Sequence, residues 1–131
     1  MRFLFACGTD DGKSFTDEHF GSASFYMVYS MDGDSGKIEF VKRMENTSPQ
    51  ERDHGDPEKA KYISQMFSDV PVLVAFAMGP NITRMRKRFV PVISRVREIE
   101  RALEILPRYR EEIIKEMEKP EGEDRSIIYL K

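Results

Sequence analysis

The run VPVLVAFA, from Val70 to Ala77, constrains the fold more than any other part of the chain. A short segment with almost no polar side chain reads as a central strand covered on both faces. Cover on both faces requires a layer on each side of the sheet, and in an α/β chain those layers are helices. The sequence supplies them. Asp56 suits a helix N-cap, Pro57 the first helical position and Glu58 the positive end of the helix dipole; Ala60, Ile63 and Phe67 then follow at helical spacing. A second stripe, Val96, Ile99, Leu103 and Leu106, ends or kinks at Pro107, and Tyr109, Ile113 and Met117 begin a further helix.

Shorter strands surround the central one. Arg2 to Ala6 is an apolar run, and Phe25 to Met31 and Lys37 to Met44 are joined by the turn Asp32-Gly33-Asp34-Ser35-Gly36 as an antiparallel pair. In the second of that pair, Ile38 and Phe40 alternate with Glu39, Val41 and Arg43. Met78 to Asn81 turns into a short helix, Ile82 to Arg88. Phe89 to Ile93 is another strand, in which Pro91 argues for an edge or an interruption. Ile127 to Leu130 reads as a last strand after a Pro/Gly/acid linker. The order β-β-β-α-β-α-β-α with an α-β extension predicts a mixed sheet with helices on both faces.

With 131 residues the chain fits one domain, read as residues 1–106 plus an extension, 107–131, of the same domain. The net charge of −2 gives no global attraction to nucleic acid or membrane. The charge is segregated: Ile82 to Arg110 holds 9 basic and 3 acidic side chains, and Glu111 to Asp124 holds 2 basic and 7 acidic. The two blocks are placed to pair with each other, or the basic one to meet an acidic partner; the default is a solvated helix face. The dense run Arg84, Arg86, Lys87, Arg88 has only Phe89 beside it, so a nucleic-acid surface is not expected. The single cysteine, Cys7, excludes an internal disulfide and every Cys-rich metal motif, and suits a reducing, cytoplasmic setting. The apolar stretch before Cys7 is shorter than the roughly 7–15 residues of a signal-peptide core, and nothing approaches a membrane span of about 20 residues.

In sheets of this kind, sites gather beyond the C-terminal ends of the parallel strands. Two loops leave such ends, Cys7 to Gly21 and Met78 to Asn81. The first carries Cys7, Asp10, Asp11, Asp17, Glu18 and His19, a set of thiol, carboxylate and imidazole. On spacing alone His19 reads by default as a loop surface residue, with a metal ligand or a general base as the alternatives, and Cys7 by default as a small buried apolar residue, with a metal ligand as the alternative. His54, the other histidine, precedes Gly55 just before the first helix. Gly79 permits a close backbone approach, and Asn81 is placed to cap the following helix. There is no phosphate loop, no Gly-x-Ser-x-Gly elbow and no His-Glu-x-x-His zinc motif. A nuclease would need carboxylates about a metal pair, and the Val70–Ala77 strand has none.

Taken in order, Glu-His-Phe-Gly-Ser-Ala-Ser-Phe after a polar loop, a hairpin, His54-Gly55 before a helix, and an apolar strand running into Met78-Gly79-Pro80-Asn81 resemble the dinitrogenase iron–molybdenum cofactor biosynthesis family over Met1 to Leu106. The resemblance implies a ribonuclease-H-like three-layer α/β/α fold, with sheet order 3-2-1-4-5 and strand 2 antiparallel. It implies non-enzymatic binding, storage or delivery of an iron–molybdenum or iron–sulfur type cluster. His19, Phe20, Gly21, Gly79, Pro80 and Asn81 would then form the cofactor site, with His19, His54 and Cys7 as metal ligands. The partners implied are the cluster and an acceptor or scaffold protein, with a homo-oligomer through the extension as a further expectation. Two departures stand out: Met78 precedes Gly79 where the family favours a small residue, and His54-Gly55-Asp56-Pro57 replaces a His-Gly-Ala-Gly-like segment. They keep a second function open, a structural or regulatory interaction module with no cluster.

Overall fold

In a computed structural model, residues 1–48 and 57–131 are described. Six strands form one sheet in the order β3-β2-β1-β4-β5-β6. They are β1 (Arg2–Thr9), β2 (Phe25–Asp32), β3 (Ile38–Glu45), β4 (Val72–Ala75), β5 (Val90–Ser94) and β6 (Ile128–Leu130). β2 runs antiparallel to both β1 and β3, whereas β4, β5 and β6 are parallel to β1 through their neighbours. The helices are α1 (Pro57–Met66), α2 (Ile82–Met85), α3 (Ile99–Ile105) and α4 (Arg110–Met117).

The period of two along β1 divides the molecule into layers. Phe3, Phe5 and Cys7 join Val72, Val74, Val90 and Val92 in one core, closed by Ile99, Ala102, Leu106 and Ile113 from α3, α4 and the turn between them. Ala6, on the other face, joins Leu73, Ala75, Tyr26 and Val28, and is covered by Ile63, Phe67 and Met85 on the α1–α2 side. The molecule is therefore a three-layer α/β/α structure with a mixed sheet. The expected order 3-2-1-4-5 and the antiparallel second strand hold, and the extension adds β6 outside β5.

Several local expectations change in instructive ways. α3 stops at Ile105 and a 3-10 turn, Leu106–Tyr109, carries Pro107 before α4 resumes, as a proline with no N–H dictates. α2 ends at Met85 rather than running to Arg88. Pro91 is buried inside the sheet, not on its edge, and the β5–β6 ladder starts only at Val92, one residue past it. β3 does not bury one face by clean alternation: its register against β2 slips between Val28 and Tyr29, and Phe40 and Val41 are 54% and 46% exposed. A bulge and flanking charges are common on an edge strand.

The basic and acidic blocks do meet. Lys87 pairs with Asp124 at 3.2 Å, and the backbone N–H groups of Gly122 and Arg125 donate to the carbonyls of Lys87 and Arg86, each at 2.8 Å. Among the described residues no helix is long and apolar enough to cross a membrane.

Candidate functional site

The loop after β1 is held by its own short polar side chains. The Thr9 hydroxyl donates to the Ser14 carbonyl at 2.5 Å, and the Asp10 carboxylate accepts from the Thr16 hydroxyl at 2.7 Å and the Ser24 N–H at 2.9 Å. Phe15 is buried beneath the loop, and Asp17 reaches Arg97. The loop therefore arrives at His19 in a fixed direction, and His19 itself is extended, at φ −63° and ψ 153°.

Phe20 anchors the next step. Its N–H donates to the Ala77 carbonyl at 2.9 Å, which ties this loop to the exit of β4. Its ring is fully buried, 4.9 Å from Tyr26 and 5.7 Å from Phe67 between centroids, and the Tyr26 hydroxyl donates to the Phe20 carbonyl at 2.8 Å. Burial of an aromatic ring of this size supplies a few kcal/mol, about 2–3, enough to hold one conformation of the loop. A side chain at Gly21 would meet the Lys59 Cε at 3.1 Å, so glycine lets α1 approach.

With the loop anchored there, the His19 ring lies on Gly79. Gly79 has φ +81°, and a Cβ built on it would lie 2.5 Å from both Cγ and Nδ1 of His19. Only glycine satisfies both the left-handed backbone and the contact. Asn81 is buried, but its side chain makes no cap hydrogen bond; its Oδ1 accepts from Arg84 Nη1 at 3.0 Å instead. His19, Gly21, Pro80 and Asn81 line a common cavity of about 20 Å3, with Lys59, Met78 and Met85 also on its walls. A space of that size takes about one water molecule.

Of the residues nominated from sequence, His19, Phe20, Gly21, Gly79, Pro80 and Asn81 are thus brought together. Cys7 is not. It lies on the opposite face of the sheet, in the core with Phe5 and Val74, where burial pushes its thiol well above the ordinary range. The cause is parity: β1 continues as far as Thr9, so Cys7 points with Phe3 and Phe5 away from the face that carries Phe20 and Met78. His54 lies outside the described residues. Among the described residues no group of three His, Cys, Asp or Glu side chains is placed to hold a metal ion. Lys59 escapes sequence reasoning: a charged residue in the first turn of α1 reads as solvated, yet it is only 6% exposed. Its one sequence signal is its place four residues before Ile63, on the buried side of the helix.

The fold and site define a three-layer α/β protein whose two loops, from β1 and β4, meet through a histidine and a glycine. The chain matches the model of the family described as dinitrogenase iron-molybdenum cofactor over residues 1–111, and it belongs to that family. No curated protein matches the chain.

Proposed function

We propose that this protein binds a metal cluster of the iron–molybdenum or iron–sulfur kind and stores or delivers it without catalysing a reaction. The family carries the link to the cofactor, and the observation that supports a site here is the docking of His19 on Gly79 at the mouth of the two loops. The donor chemistry fits a carrier. Imidazole is a good ligand for iron and other borderline metals, and one protein ligand leaves a cluster free to be passed on. The cavity beneath His19, at about 20 Å3, is too small for a cluster, so the cargo belongs on the outer edge of the ring and the rim around Pro80.

A second reading, an interaction module with no cluster, is favoured by Met78, which is buried and lines the cavity where a smaller residue would leave room. One experiment separates the two. The protein is purified without oxygen or a histidine tag, and its iron, molybdenum and sulfide are measured with its absorption spectrum, alongside His19→Ala. A carrier shows bound metal, or takes up supplied cluster, and loses most of it in the variant. A protein that is metal-free and also takes up none sinks the carrier reading.

A further inference from the structure

The opposite end of the sheet, at the starts of β4 and β5, holds a second cavity built partly by residues beyond the family match, which ends at 111. The segment from Lys119 to Arg125 folds back on the dense basic run at Arg86 and Lys87 through the Gly122, Asp124 and Arg125 contacts described above. The Arg86 Nε completes the clasp by donating to the Arg125 carbonyl at 2.8 Å. This seats the Arg125 side chain, 5% exposed, against a cavity of about 300 Å3 that Arg88 also lines.

Arg125 Nη2 donates to the Lys119 carbonyl at 2.9 Å and Nη1 to the Glu123 carbonyl at 3.4 Å; Nε is enclosed and has no acceptor among the described residues, so a ligand in the cavity would meet Arg125 through the remaining N–H bonds of its Nη atoms. Nε is the one buried side-chain nitrogen or oxygen in that condition among the described residues. Among those residues, too, neither Arg88 nor Arg125 forms an ion pair with a carboxylate. Asp69, on the cavity wall, is turned to Lys42 at 3.8 Å, Glu121 is exposed, and Arg88 lies over the Phe89 ring at 5.3 Å. Burying a cation without a counter-ion is costly. The guanidinium fork is shaped for the paired oxygens of a carboxylate or phosphate. Val70, Pro71 and Phe89 supply an apolar wall, and the volume is that of a small-molecule site.

We propose that this cavity binds a small molecule bearing an oxyanion, a carboxylate or a phosphate ester, on a compact apolar body, with Arg88 and Arg125 as its charge contacts. The site is separate from the His19 rim, and neither proposal depends on the other.

The test is titration calorimetry on the full chain at constant ionic strength with phenyl phosphate and benzoate, which share a body and differ in the oxyanion. Saturable binding of either probe in the millimolar range or tighter is expected; the preferred probe tells which oxyanion the site takes. Losing a charge-assisted hydrogen bond weakens binding about ten-fold or more, so Arg88→Gln and Arg125→Gln should each do so. Arg88 is only half-buried, so Arg88→Gln decides the matter if Arg125→Gln does not fold. No saturable binding of either probe, or binding unchanged in Arg88→Gln, overturns the proposal.

Discussion

Gly79→Ala tests whether the His19–Gly79 contact is what builds the site. Two costs arise. A non-glycine residue at φ +81° loses about 1–2 kcal/mol to the left-handed backbone. The new methyl also stands 2.5 Å from the His19 ring and 3.0 Å from its Cβ, closer than real contacts allow, so the ring must leave. Displacing a packed ring adds about 1–2 kcal/mol, within the range for overpacked sites. Gly122→Ala is the control, since Gly122 has φ +97° with nothing within 4 Å of a methyl added there and incurs only the backbone cost. Both variants gain alike from the stiffer unfolded chain, so that term cancels in the comparison. In a domain of this size 1 kcal/mol moves Tm by about 3–5 °C. Gly79→Ala should then melt about 6–20 °C below the parent and Gly122→Ala about 3–10 °C below it. A double-mutant cycle with His19→Ala should show a coupling of about 1 kcal/mol, because removing the ring removes the clash. Equal Tm values for the two alanine variants, together with zero coupling, would refute the reasoning.

Two further outcomes follow from residues at a distance from that contact. Cys7, 1% exposed and with its thiol held neutral by burial, should resist a thiol reagent in native buffer and react at the rate of unfolding; prompt stoichiometric labelling of folded protein would contradict its placement. Asp32 accepts from the N–H groups of Asp34 at 2.8 Å and Ser35 at 3.3 Å, and these bonds hold its carboxyl below the usual carboxylate range. The folded value is the lower one, so its contribution is complete above the unfolded value of about 3.9 and is lost as pH falls through the folded value. Guanidinium melts at neutral and acid pH should show Asp32→Asn less stable than the parent at neutral pH and closer to it in acid; a constant difference would count against the assignment.

The parts of the fold that were legible in the sequence are those where one residue type has one physical use. Pro107, coming after a full helical stripe, ends the helix before it, and a fully apolar octapeptide has to be covered on both faces. Gly79 was legible as a place of close backbone approach, but what brought it into one site with His19 was the family resemblance rather than either residue alone. Cys7 was not legible in the same way. Its side of the sheet depends on how far β1 runs, and the apolar pattern stops at Gly8, whereas the strand continues because Gly8 and Thr9 pair with Tyr26 and Phe25. Lys59 was hidden because a lysine is solvated by default. The bulge at Val41 was hidden too, because it is set by register against β2 rather than by any residue in β3.

The contact that builds the site also closes it. His19 rests on Gly79, and behind it Met78 and Met85 leave about 20 Å3. A guest that binds the outer edge of the imidazole leaves this packing intact and needs nothing from the cavity. A guest that draws the ring outward gives up the ring's packing on Gly79 and uncovers Met78. The two modes part on one observable. If the ring stays, Gly79→Ala impairs binding because it displaces the ligand. If the ring leaves on binding, the same substitution has already displaced it, and affinity is retained or rises even as stability falls. Measuring cluster uptake on the variant already needed for the stability test therefore reads the direction in which His19 presents its nitrogen.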